Sequence, residues 1–172
     1  RNAKDFTNTK TVVTLYSSLV KSLLEYASPI WSPTSKVRIK QIETVQHKFL
    51  RFMARKYFGD LEESIDYKVY ERKLKLQSLE LRRVITDIKT TINSFNGRID
   101  SFTFIHHFRF SVPRLRSRYR QVFQTSRDSS IFARLMNNFN MFCNNFDYLN
   151  QNSCSKCILA HVESKFARST AI

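Results

Sequence analysis

Apolar residues in the first part of the chain recur in steps of three and four. Val12, Leu15, Tyr16, Leu19, Val20, Leu23 and Leu24 mark one face of a helix over Thr11 to Ala27, the spacing that gathers side chains into a single stripe. Pro29 and Pro33 end it, because proline has no amide hydrogen to donate and turns the residue before it away from helical backbone. An extended turn is expected there, with Ile30 and Trp31 plugging the seam between helices. A second helix is expected from about Ser35 to Tyr57. On a wheel of ~100° per residue, Ile39, Ile42, Val45, Gln46, Phe49, Phe52 and Met53 fall on one side, and Lys36, Lys40, His47, Lys48, Arg51 and Arg55 on the other. Gly59 is a natural C-terminal stop for it, since glycine accepts the left-handed backbone that ends many helices.

Glu62 to Lys75 reads as a third helix with sparse apolar positions, Ile65, Val69 and Leu76. Ser78 is a suitable N-cap for a fourth, with Glu80 in its first turn, Leu81, Val84, Ile85, Ile88, Ile92 and Phe95 on its buried face, and Gly97 just past its end. Arg82 and Lys89 point the other way. From Asp100 to Thr125 the periodicity fails, and "FRFSVPRLRSRYRQVF" alternates in places, as short strands or an extended arm would. Asp128 or Ser129 then caps a helix through Ile131, Leu135, Phe139 and Phe142, and a weakly amphipathic helix follows from about Lys156. The expected fold is mainly α, a bundle of five to six helices with a short irregular or β-containing arm near residues 108–125. Residues 1–100 form its first domain, and residues 101–172, the basic arm plus helices, a C-terminal extension packed on it. Only two glycines and three prolines interrupt the chain, which argues against an all-β meander of tight turns.

Charge changes the picture. The 29 Lys and Arg against 14 Asp and Glu leave a net +15 and a pI near 10.1, a balance that calls for a polyanionic partner, with nucleic acid first and a membrane surface second. No apolar run approaches the ~20 residues that span a bilayer, and "RNAKDF" has no apolar signal core. The expected partner is therefore nucleic acid and no membrane. Three cysteines do not make a disulfide framework, so the expected location is intracellular, cytoplasmic or nuclear, and not secreted. Arg1 at the start, in place of Met, suggests a partial chain.

Self-contained catalysis has little to work with. Two-metal phosphoryl transfer needs carboxylates gathered around cations ~4 Å apart, yet no Asp-Asp pair occurs, and Glu62-Glu63 are consecutive residues that do not face one site on a helix. Two glycines leave neither a phosphate-cradling loop nor a nucleophile elbow. Cys154-x-x-Cys157-x-x-x-His161, with Cys143 upstream, has the ligand chemistry of a zinc site, but structural zinc takes four ligands at compact spacing, and simple thiols are the competing reading. His106-His107 reads as a structural or surface pair.

The basic positions carry the strongest signal. Between Lys36 and Lys56 one acid, Glu43, stands against seven Lys or Arg, where an ordinary solvated face mixes signs. That imbalance favours a phosphate track over plain solvation. Arg114, Arg116, Arg118 and Arg120, with Arg109 before them and Tyr119 among them, form an acid-free segment. Guanidinium groups there suit bidentate phosphate contact and stacking, with a solvated loop as equal competitor. Most of the fifteen Phe residues sit at core spacings and are not read as base-stacking platforms.

"FTNTKTVVTLYSSLVKSLLEYASPIWSP" followed by "IKQIETVQHKFLRF" resembles the region after the polymerase core in reverse transcriptases of insect non-long-terminal-repeat retrotransposons, particularly jockey-like elements. "KLKLQSLELRRVITDIKTTINSFNGRIDS", "FRFSVPRLRSR" and "IFARLMNNFN" resemble the same family's downstream segment in the same order. The resemblance covers nearly the whole chain and implies the thumb and C-terminal region of an RNA-directed DNA polymerase. In that family the fingers and palm carry the aromatic-x-Asp-Asp site and its magnesium, which nothing here matches, so this chain is not expected to be active alone. The partners implied are the fingers and palm together with an RNA–DNA hybrid, duplex or RNA, held through backbone phosphates. The grip would lie on the basic backs of the second helix and the Ser78 to Phe95 helix, with the Trp31 turn packing the thumb helices. The alternative is a stand-alone basic nucleic-acid-binding or interaction module derived from such an element.

Overall fold

A computed structural model describes residues 7–60, 65–99, 102–111, 121–124, 128, 130–143 and 160–166. The Asn8 side chain accepts the Lys10 amide at 2.9 Å and so starts α1 (Thr9–Leu15). The helix runs through a π-helical stretch, Tyr16–Lys21, into α2 (Ser22–Glu25). A π turn holds more residues than an α turn, and the three-and-four spacing loses its phase there. Val12 and Tyr16 are buried, whereas Leu19 and Leu23 are 62% and 75% exposed. Only the front half of the expected face meets the core.

Ala27 takes a left-handed φ of 51°, and α3 (Ser28–Trp31) follows as a single helical turn where an extended one was expected. Pro29 is tolerated because the first turn of a helix has no internal partner for its amides. α4 (Lys36–Tyr57) has Ser35 at its N-cap, Phe58 at its C-cap and Gly59 beyond at φ 67°, close to the limits read from the sequence. Its buried residues are Gln46, Leu50, Met53 and Ala54, a stripe turned by roughly 70° from the expected side. The cause is tertiary: Leu50 and Ala54 join Tyr16, Ile65, Tyr70 and Leu76 in one cluster, so Val45 and Phe52 turn outward.

α5 (Tyr67–Leu74) starts at Asp66, whose side chain accepts the Lys68 amide at 3.0 Å, while residues 62–64 of the longer helix expected there lie outside the described residues. Lys75 closes it with a left-handed φ of 54°, a conformation that costs a side-chain-bearing residue ~1–2 kcal/mol relative to glycine. Lys75→Gly is expected to raise stability by about 0.5–1 kcal/mol, the gain being offset in part by the looser unfolded chain. A thermal melt showing a lower Tm would refute the strain.

Gln46 is fully buried, and its amide donates to Glu71 Oε1 at 2.8 Å and to the Gln77 carbonyl at 3.0 Å. The Tyr16 hydroxyl donates to Gln46 Oε1 at 3.5 Å, and its ring stacks on Phe49 at 3.9 Å. Burial, helped by the charges of Glu43, Glu25 and Glu71, pushes the Tyr16 phenol up to about 12. A raised pKa gives stability that is whole below the unfolded-state value near 10 and is lost as pH climbs through the folded one. The urea midpoint is therefore expected to fall more steeply between pH 10 and 12 in the parent than in Tyr16→Phe, and equal slopes would exclude the buried phenol as the cause.

α6 (Leu79–Phe95) is capped from two directions. Ser78 Oγ accepts the Leu81 amide at 3.3 Å, and Glu43 of α4 accepts the Glu80 amide at 2.7 Å. Gly97 at φ 66° follows its end. The chain divides into two compact units, Arg1–Ser28 with Pro33–Arg82 and Pro29–Ser32 with Arg83–Ile172, so the division falls inside α6.

In the second unit α7 (Phe102–Ile105) is a single turn. The expected arm reduces, among the described residues, to one antiparallel bridge between Phe110 and Phe123. Ser130 caps α8 (Ile131–Cys143), its hydroxyl accepting the Ala133 amide at 3.2 Å, where Asp128 or Ser129 was expected; Ser129 lies outside the described residues. A last helix, α9, covers residues 160–166. Phe123 packs its ring against Phe95, Phe108, Phe110 and Phe139, with centroids 5.2–5.7 Å apart. The Asn140 amide pairs with both the amide and carbonyl of Phe123 at 3.1 and 2.8 Å, as a neighbouring strand would.

Ile30 and Trp31 are 67% and 41% exposed, so they do not plug a seam. Arg134 holds the α3 turn instead. Its Nη1 and Nη2 donate to the Ser32 and Pro29 carbonyls, and its Nε to Asp87 Oδ2 at 3.0 Å. Asn138 donates to the same Asp87 oxygen at 2.8 Å, and the buried Arg83 adds its charge nearby. Burial pushes the Asp87 carboxyl up, and the Arg134 charge opposes that push. The chain is thus mainly helical, and among the described residues no helix is long and apolar enough to cross a membrane.

Candidate nucleic-acid interface

The outward side of α4 holds an open hollow of about 610 Å³ lined by Lys48, Arg51, Phe52, Arg55 and Lys56. Spacings of three and four bring these five residues to one surface. Phe52 belongs to it because the α4 stripe is turned: the ring expected in the core instead floors the cationic surface. It meets Tyr57 edge to face at 6.4 Å, and Lys56 Nζ lies 5.8 Å from the Phe52 ring and 5.1 Å from the Tyr57 ring. Such cation–aromatic contacts hold a flexible lysine over an apolar floor.

Two further contacts shape the charge. Arg51 Nη2 donates to the Tyr67 hydroxyl of α5 at 2.6 Å, which orients the guanidinium. Glu43, the one acid of the helix, is directed to the N-terminus of α6, where it accepts the Glu80 amide. Neither Lys48 nor Arg55 meets a carboxylate among the described residues. Among the described residues the lining therefore carries cations and no carboxylate, and Lys48 and Arg55 can meet phosphates without first breaking an internal ion pair.

The residues expected at the interface have different fates. Lys36 and Lys40 are exposed on the N-terminal half of α4. Lys48, Arg51 and Arg55 line the hollow. His47 is half-buried, its ring stacked on Tyr67 at 4.0 Å, and burial lowers its pKa below the usual 6.5, so it is neutral at pH 7 and adds no charge. Arg82 is engaged by Glu25 through a two-pronged ion pair, Nη2 to Oε2 at 2.6 Å, which fills the fork a phosphate would need. Lys89 is exposed on the part of α6 that belongs to the second unit. Arg114, Arg116, Arg118 and Arg120 lie outside the described residues.

Phe52, Lys56 and Tyr67 were not among the residues expected to bind. A signal for the first two is present in "KFLRFMARKY", where aromatic and basic residues interleave. Of the zinc candidates, Cys154 and Cys157 lie outside the described residues, and among those described no three His, Cys, Asp or Glu side chains gather as a metal site would need.

Fold and surface together define a mainly helical, strongly basic protein whose α4 carries a hollow lined, among the described residues, by four cations and one aromatic ring. No family model matches the chain, and no curated protein or solved structure matches it.

Proposed function

We propose that the chain is the non-catalytic thumb and C-terminal region of a retrotransposon reverse transcriptase of the non-long-terminal-repeat class, and that it grips template–primer nucleic acid through backbone phosphates from inside the cell. The observation that carries the binding half of this reading is the α4 surface, where Lys48, Arg51, Arg55 and Lys56 line one hollow and Glu43 is directed elsewhere. The four ordered sequence blocks support the family half. Magnesium and the catalytic carboxylates belong to the palm in this reading, and the chain's role is to hold the duplex in register.

The test is binding of a labelled RNA–DNA hybrid, duplex DNA and single-stranded RNA across a salt series. Tight binding that weakens steeply with salt and prefers hybrid or duplex is the expected result, because each neutralised phosphate releases nearly one counterion. Binding to single-stranded RNA alone would favour the stand-alone module. No binding by a folded sample would overturn the proposal.

A further inference from the structure

The hollow on α4 is built for more than phosphate. A phosphate track needs cations and solvent, yet this open hollow has an aromatic ring among its four cations. Lys48 and Arg55 stand two helical turns apart, ~10.5 Å along the axis, with Phe52 between them and Arg51 and Lys56 at its sides. Arg51 is held by Tyr67, and Lys56 lies over both the Phe52 and Tyr57 rings. The backbone of a regular duplex offers such a site only sugars and phosphates, since its bases are stacked inside. An unpaired nucleotide offers a planar base for the ring and a phosphate on each side for the flanking cations.

We infer that this hollow is a seat for an unpaired nucleotide, with the base on Phe52 and its neighbouring phosphates on Lys48, Arg51, Arg55 and Lys56. The inference rests on the nucleic-acid reading above and narrows it: the chain would hold a junction where single strand meets duplex, in place of uniform duplex alone.

The experiment titrates the protein with a blunt RNA–DNA hybrid and with the same hybrid carrying a short unpaired tail, of RNA in one arm and DNA in another, with 2-aminopurine in the tail. The tail is expected to tighten binding about tenfold, as one stacked base does, and to quench 2-aminopurine. Phe52→Ala should abolish that gain, so that tailed and blunt hybrids bind with the same affinity. Phe52→Leu, which keeps apolar bulk without an aromatic face, should do the same, and Phe52→Trp should keep the gain. A tail gain that survives Phe52→Leu in a folded protein overturns the seat. A tail that adds nothing, while Lys48→Ala with Arg55→Ala still weakens blunt binding, also overturns the seat but leaves the phosphate grip standing. Absence of any binding by the parent removes both. Equal gains from the RNA and DNA tails would assign recognition to base and phosphate, and a gain from only one would add the sugar.

Discussion

Arg134→Ala is expected to remove about 3–5 kcal/mol of stability, the cost of stranding a buried charge. Arg134 and Asp87 side chains are 9% and 2% exposed, so water cannot replace the lost partner at Asp87. The Pro29 and Ser32 carbonyls lose their donor in the same step. Against the 5–15 kcal/mol that holds a typical domain, such a loss leaves little in reserve. Urea unfolding followed by circular dichroism reads it directly. The double variant Arg134→Met with Asp87→Leu should recover part of the loss, since an apolar pair of similar bulk often replaces a buried ion pair without penalty, while the Pro29 and Ser32 carbonyls stay without their donor. If Arg134→Ala costs under about 1 kcal/mol, the clamp on the α3 turn is not what holds it.

The second large effect is on binding. Replacing Lys48, Arg51, Arg55 and Lys56 together with Ala should lower the slope of log affinity against log salt by about 3–4, near one per lost phosphate contact. Four contacts correspond to roughly 150-fold in affinity between 50 and 200 mM salt. Stability should move little, because these are surface positions of α4 and exposed substitutions usually stay within about 0.5 kcal/mol. The Arg51–Tyr67 hydrogen bond is the main internal contact given up. An unchanged slope in a folded quadruple variant would place the grip elsewhere.

Much of the first unit was legible in the sequence because its signals are local. Ser35 and Gly59 bracket α4, and Ser78 and Gly97 bracket α6, since caps and left-handed stops act within a few residues of the helix end. What was not legible depends on partners far along the chain. Leu50 and Ala54 turn the α4 stripe because Tyr70 and Leu76 cover them. Arg82 left the expected interface because Glu25, 57 residues away, takes its fork. The role of Arg134 had no sequence signal at all, its carbonyl partners lying more than 100 residues earlier. The interface was half legible. The excess of cations on α4 is a composition signal, whereas the outward turn of Phe52 follows only once the core side of that helix is known.

The π-helical stretch at Tyr16–Lys21 bears on which length changes the chain can absorb. Such a stretch is a helix carrying one residue more than its α-helical length, with the segments on either side kept in phase. Loss of one residue between Ser17 and Val20 would thus return a plain α-helix with Tyr16 still in the core and Glu25 still facing Arg82. The same loss inside α4 would swing every later residue by ~100° and carry Phe52 and its cations away from their common surface. Single-residue deletions should be tolerated in one helix and ruinous in the other, which circular dichroism of the two deletion variants would show.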